Sequence, residues 1–330
     1  MNGIFNFVRF ITYTVTAMTV RKGWNWLTAD VDPIPGTKEF NRELLNTTTK
    51  YKQIGALTTW AESASTGNAS AAIKTDGTLW TWGDGDEGAL GNGSTTDICS
   101  PVQVGSLTDW SKISTSGDRA KAFGAIKTDD TLWTWGSGGS GRTGHGDKTS
   151  ISSPVQVGSL TNWAFVASGG EHMVAVKTDG TLWTWGRNNK GQLGDGSTTD
   201  RCSPVQIGSL TNWAKARGGG SWSGAVKTDG TLWIWGYNSK GQLGQGNTTA
   251  TSSPVQVGTL TDWSDIGLSY YAINALKTDG TLWGWGRGGG SGLSGLGTAT
   301  DYSSPVQVGS DTDWRAIGQA GMVALKGEAL

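Results

Sequence analysis

The chain has 330 residues, of which 53 are Gly and 19 are Trp, against only 6 Phe and 6 Tyr. Its 26 basic and 27 acidic residues leave a net charge of -1, which speaks against a polyanion-coating protein and against an acidic solvating tail. The glycines follow no triplet period, which excludes collagen, and no apolar run reaches the roughly 18 residues of a spanning helix.

Residues 1–20 join Ile4, Phe5, Phe7, Val8, Phe10, Ile11, Tyr13, Val15 and Val20 to one charge, Arg9. A cleavable signal wants its basic residues before an uninterrupted apolar core, and Arg9 interrupts this one. Thr12, Thr14 and Thr16 alternate with Ile11, Tyr13, Val15 and Ala17, which is the period of a strand. The segment reads as an apolar strand or assembly arm. A membrane-associated segment, or an initiator at Met18, are the other readings. Membrane contact is expected only through these residues. The compartment stays open, with a surface or virion assembly as one setting.

Trp24-Asn25-Trp26 looks like a worn Trp-x-Trp, residues 29–50 match nothing else in the chain, and Gln53 to Trp60 matches Gln103 to Trp110. A long phrase then takes over: Lys74-Thr75-Asp76-Gly77-Thr78-Leu79-Trp80-Thr81-Trp82-Gly83. Its second Trp returns at Trp135, Trp185, Trp235 and Trp285, at intervals of 53, 50, 50 and 50. Each copy is followed by Ser-Pro-Val-Gln (Pro at 101, 154, 204, 254 and 305) and then by a lone Trp at 110, 163, 213, 263 and 314. Within one copy, Ala175 to Thr178 and Thr181 to Trp185 alternate about Asp179-Gly180, a hairpin signal that predicts a type I′ turn. Gly77, Gly180, Gly230 and Gly280 hold this place in four copies, and Asp130 holds it in the fifth. Pro204 to Ile207 predicts an edge strand opened by Pro, and Trp213 begins another strand.

Four short strands per roughly 50 residues, with no helical period, define an all-β fold of propeller blades. The repeated Trp82, Trp135, Trp185, Trp235 and Trp285 are expected to fill the wedges between blades. After Trp314 only two strands remain, so residues 21–60 and 314–330 are expected to build one closing blade, giving six. Seven would require residues 1–20 to supply a further worn blade. The expected organisation is an arm, 1–20, and one propeller domain, 21–330.

Glu171 to Gly194 runs Glu-His-Met-Val-Ala-Val-Lys-Thr-Asp-Gly-Thr-Leu-Trp-Thr-Trp-Gly-Arg-Asn-Asn-Lys-Gly-Gln-Leu-Gly and resembles the repeat of the regulator of chromosome condensation family. The resemblance covers about residues 51 to 326. Ala89-Leu90-Gly91 lacks the Gln, Gly141-Arg142-Thr143-Gly144 lacks Gln and Leu, and residues 291–297 carry an insertion. The resemblance implies a propeller of six or seven blades. It also implies relatives that include a nucleotide exchange factor for a small GTPase and, more loosely, inhibitors of β-lactamases. An exchange factor would carry a dedicated wedge, and the only insertions lie near Gly138 and Gly292.

Strands alternate in direction, so loops one and three of a blade share one face and loops two and four the other. Loops two and four barely change between repeats. Loops one and three vary, which is the expectation for a recognition surface on a rigid scaffold. The binding candidates there are Arg119, His172, Arg187, Trp222, Tyr237, Tyr270, Tyr271 and Arg287. A protein partner or larger assembly is expected, because Trp222, Tyr270 and Tyr271 each occur in one repeat only. A regulator or inhibitor of a protein partner, and a carbohydrate-binding propeller stacking sugars on Trp and Tyr, are the alternatives. His145 and His172 have no legible nucleophile beside them, so no catalytic residue and no enzyme is expected. Asp84-Gly85-Asp86-Glu87 lacks calcium-loop spacing, and Gly136 to Gly144 lacks the lysine and helix of a phosphate loop. Hence no metal, cofactor or nucleic acid is expected. Cys99 and Cys202 stand two repeats apart in equivalent loops, so no disulfide is expected.

Overall fold

The hairpin around Lys-Thr-Asp-Gly-Thr is the unit from which each sheet grows. The computed structural model describes residues 17–18, 29–30, 60–66, 68–116, 120–288, 294–318 and 324–326. Side chains at 17, 18, 29, 30, 115, 116, 325 and 326 are outside the description. The turn differs from the expected type I′. Gly180 alone is left-handed, at φ 77°. Its N–H donates to the Lys177 carbonyl at 2.9 Å, and the Lys177 N–H donates to the Thr181 carbonyl at 3.0 Å. This is a three-residue loop, a type I turn closed by one left-handed residue. Aspartate serves a different purpose. Asp179 Oδ1 accepts the Thr181 N–H at 2.9 Å and its hydroxyl at 2.7 Å, and Thr181 Oγ1 accepts the Trp183 indole N–H at 2.9 Å. The same relay stands in the other four copies. In the second copy Asp130 takes the glycine's place, at φ 60°.

A first strand joins one side of each hairpin and a fourth the other, giving four-stranded antiparallel sheets over residues 60–103, 110–156, 163–206, 213–256 and 263–307. The expected all-β propeller repeat is therefore present five times. The only helical turns among the described residues are Asp86–Gly88 and Gly139–Gly141. Trp60, expected to end the closing blade, instead opens the first sheet, pairing with Lys74 as Trp163 pairs with Lys177. Fourth strands begin earlier than expected: Arg201–Gln206 carries Pro204 inside it. It is still an edge strand, where a residue without an N–H is tolerated. Trp314–Ile317 pairs with Ala324–Lys326, the first two strands of a further sheet. Of its expected partner segment, 21–60, residues 21–28 and 31–59 lie outside the described residues. Ala17–Met18 pairs with Ala29–Asp30.

The apolar core lies between sheets. One cluster joins Val174, Val176 and Leu182 of the third sheet to Ile207, Trp213, Ala216, Ala225 and Trp235, from the connection out of that sheet and from the fourth. Trp135, Trp185, Trp235 and Trp285 are 0% exposed. Each indole N–H crosses to a carbonyl of the preceding repeat: Ala89 at 3.0 Å, then Arg142, Gln192 and Gln242 at 2.9 Å. The last glycine of Gly-Gln-Leu-Gly exists for this contact, since a Cβ on Gly194 would stand 2.6 Å from the Trp235 indole nitrogen. Losing such a buried indole removes about 3–5 kcal/mol. Trp163 sets its ring edge against Trp183 at 6.0 Å, and the Lys177 ammonium sits 3.9 Å from the Trp183 ring centre.

Candidate binding face

Backbone hydrogen bonds fix which loops share a face. In every sheet the residue opening loop three donates its N–H to loop one: Asp84 to Asn68, Ser137 to Lys121, Arg187 to Glu171, Tyr237 to Ser221 and Arg287 to Tyr271, at 2.8–3.1 Å. On the opposite side loop two meets loop four, the Trp213 N–H donating to the Gly180 carbonyl at 3.1 Å. The expected division into a varied and a constant face is thus built into the backbone.

Half-exposed anchors lie mainly over the third to fifth sheets. Arg187 pairs with Glu171, and Arg142 approaches the same carboxylate at 3.9 Å. Lys190 stands 5.7 Å from the Tyr237 ring centre, which links the third and fourth sheets. Tyr270 and Tyr271 meet edge to face at 4.4 Å, and the Arg287 guanidinium lies 4.9 Å from the Tyr271 ring. Lys240 pairs with Asp301 at 3.2 Å. The first sheet contributes acidity instead. Glu87 receives Lys121 at 3.4 Å, and hydrogen bonding from Ser137 chiefly keeps its carboxyl below the usual range.

Two expected surface residues lie inside. Trp222 is 0% exposed and points its indole N–H at the Tyr270 carbonyl, 3.4 Å away. His172 is 1% exposed. Ser223 gives its hydroxyl proton to the Gln192 carbonyl at 2.7 Å, so Ser223 Oγ accepts from His172 Nε2–H at 2.8 Å. His172 Nδ1 is buried without a partner, and burial first, then the nearby Arg142 charge, push its pKa down to about 3. Both side chains occupy the first position of the second strand, where the other repeats have Ala69, Ala122 and Ala272. Three residues earlier stand Gly169 and Gly219, and a Cβ there would come within 2.2 Å of the imidazole and 2.6 Å of the indole. The alanine repeats have Thr66, Arg119 and Ser269 instead. This exchange of small for large across the loop is the sequence signal that marks these positions as interior. Arg119 lies outside the described residues.

Arg142, Glu171 and Lys190 lie on the varied loops but are not among the expected binding candidates, and Arg142 is only 8% exposed. Arg142 stands where other repeats have Gln192 and Gln242. Its Nε–H donates to Gly139 at 3.0 Å and an Nη–H to Gly170 at 3.5 Å, tying the second repeat to the third. Burial lowers its pKa. Cys99 and Cys202 are free thiols. Among the described residues no group of three His, Cys, Asp or Glu side chains could hold a metal.

Tandem four-stranded sheets sharing a tryptophan-filled interface, with variable loops gathered on one face, define a repeat propeller. The pattern of the regulator of chromosome condensation (RCC1) repeat matches residues 76–119, 129–176, 179–226 and 229–271, and a second RCC1-repeat pattern matches 163–192. The chain belongs to the RCC1 repeat family. It is 33% identical over 104 residues to the human E3 ubiquitin-protein ligase HERC2 and 34% to the mouse protein, a stretch covering 31% of this chain. That stretch is about 2% of the length of those relatives. Human WBSCR16 superposes with a TM-score of 0.68 at 21% identity, covering 76% of this chain and 67% of that one. Yeast RCC1 (Prp20), solved bound to Kap60, superposes at 0.66 with 18% identity, covering 77% and 62%. These two likenesses concern the fold.

Proposed function

We propose that this chain is a non-catalytic binding module that grips a protein partner with its loop-one and loop-three face. The observation that carries this reading is the arc of half-exposed Arg187, Tyr237, Tyr270, Tyr271 and Arg287 with exposed Lys190, built on a scaffold held constant beneath it. Tyr and Arg are the residue types in which interface energy concentrates. His172 and Trp222 support the face from inside, packed against Gly169 and Gly219 of loop one. The fold likeness supports the reading, since the solved yeast Prp20p is described with its binding to Gsp1p and histones. The sugar-stacking alternative loses its main platform, because Trp222 is buried.

A regulator of the exchange-factor type is the second reading, favoured by the same likeness. It calls for a wedge, and near Gly138 the chain makes only the single turn Gly139–Gly141. Residues 1–20 are carried forward as an assembly arm.

The test is the affinity of a purified partner retained by the full chain. Tyr271→Ala and Arg287→Ala are each expected to weaken it at least tenfold, about 1.4 kcal/mol. Leu210→Asp, on the constant face and 46% exposed, should leave it unchanged. The opposite pattern overturns the assignment of the face.

A further inference from the structure

Near-identical repeats pose a problem of order. The tryptophan-to-carbonyl bond is the same at each of the four interfaces between complete sheets, so it cannot tell one neighbour from another. One position that faces the next sheet carries four residue types in five sheets. It is the third residue of the first strand, occupied by Glu62, Lys112, Phe165, Lys215 and Asp265. First strands of successive sheets touch, and all five side chains are half-buried there.

Each of the first four reaches the next sheet; the two lysines share a bond to the equivalent carbonyl there, and their further partners differ. Glu62 accepts the Ile113 N–H at 3.5 Å and feels the Lys112 charge, while burial raises its pKa. Lys112 donates to the Ala164 carbonyl at 2.5 Å. Phe165 receives the Arg217 guanidinium over its ring at 4.7 Å. Lys215 donates to the Ser264 carbonyl at 2.9 Å and pairs with Asp265 at 3.1 Å, with Arg217 adding a second cation at 3.6 Å. The interfaces are thus acid to base, cation to carbonyl, ring to cation, and base to acid.

We infer that these inner-strand side chains, with Arg217 setting the fourth sheet apart from the second, bias the order of the blades by setting like charges together in misordered arrangements. Exchanging the second and third sheets would place Lys112 beside Lys215. Bringing the first sheet beside the fifth would place Glu62 against Asp265. Like charges held close in a half-buried wall repel, and specificity between similar partners is commonly built from such mismatches. The hazard they guard against is the one repeat proteins face, in which a blade docks on the wrong neighbour or on that of a second copy.

The test unfolds the full chain in urea, refolds it, and compares the size distribution with protein never unfolded. The variant E62A/K112A/F165A/K215A/D265A removes the code but none of the tryptophans. Its recovery in the starting species is expected to fall at least threefold relative to the parent, with the remainder in swapped oligomers. E62D/K112R/K215R/D265E keeps every charge and is expected to refold as the parent does. Should the alanine variant fail to fold at all, Lys112→Glu sets two carboxylates together at one interface and is expected to give the same oligomers. A lowered urea midpoint with full recovery of the starting species, in either variant, would assign these residues to stability alone and overturn the inference.

Discussion

At the scale of the residue, His172 has the clearest measurable consequence. It is neutral in the folded protein down to about pH 3, because burial first and Arg142 second oppose its charge. In the unfolded chain it titrates near 6.5. Above that value both states hold the same protons and stability is unaffected. Below it the unfolded chain takes up a proton that the folded one refuses. Stability should therefore fall by about 1.4 kcal/mol per pH unit between roughly 6.5 and 3 from this group alone. Urea midpoints at pH 7.5 and 5.5 check this. His172→Gln should flatten the acid-side slope by close to one proton, and equal slopes in both proteins would refute the assignment. Lys177 makes a useful contrast with Lys127. Both are 6% exposed against tryptophan, but Lys127 has Asp109 at 3.3 Å whereas the third repeat has Asn162 at that place. Burial lowers the Lys177 pKa, with Asp179 only partly offsetting it.

At the scale of the element, the hairpin shows what a local phrase can and cannot convey. Asp-Gly between alternating residues placed four of the five turns correctly, and Asp129-Asp130 in the same phrase placed the fifth, because strand period and a left-handed residue are local properties. The turn type was not legible, since the Asp-Thr-Trp relay depends on how far each side chain reaches. Loops one and three were legible as the varied face because strand direction alternates strictly. The inward pointing of His172 and Trp222 was hidden, because variation shows where the chain differs and not which way a side chain turns. Gly180 is held by two demands: its φ is 77°, and a Cβ would stand 2.1 Å from the Thr211 carbonyl oxygen. The second repeat tolerates Asp130 at the same place, so loops two and four can give a little. Gly180→Ala is therefore expected to cost only about 1–2 kcal/mol, the price of a left-handed residue, read as a shift of urea midpoint at constant slope. An unchanged midpoint would mean that the turn rearranges freely.

At the scale of the whole molecule, each sheet completes its core only against a neighbour, so stability is a sum over interfaces, as in other repeat proteins. Five sheets and the start of a sixth were legible from spacing alone. Whether 21–59 closes the ring is a question of non-local pairing that spacing does not settle. The arm makes a separate claim. Full-length chain is expected to have a larger mass in solution than chain beginning at Met18, with both folded. Equal masses would end the assembly-arm reading.

The register of the sheets has a consequence for change over time. In the fifth sheet Gly286 pairs with Tyr302 as Gly236 pairs with Thr251 in the fourth, although the fifth loop three is one residue longer. In the second sheet loop one is three residues longer, yet Trp110 still pairs with Lys127 as Trp163 does with Lys177. The pairing registers are kept despite the surplus, and Thr115–Ser116, just before it, adds a parallel strand to the next sheet beside Ala167–Ser168. Added length on this face costs the scaffold nothing in alignment. New recognition segments can therefore be acquired one blade at a time, and lost again, while the tryptophan framework stays as it is.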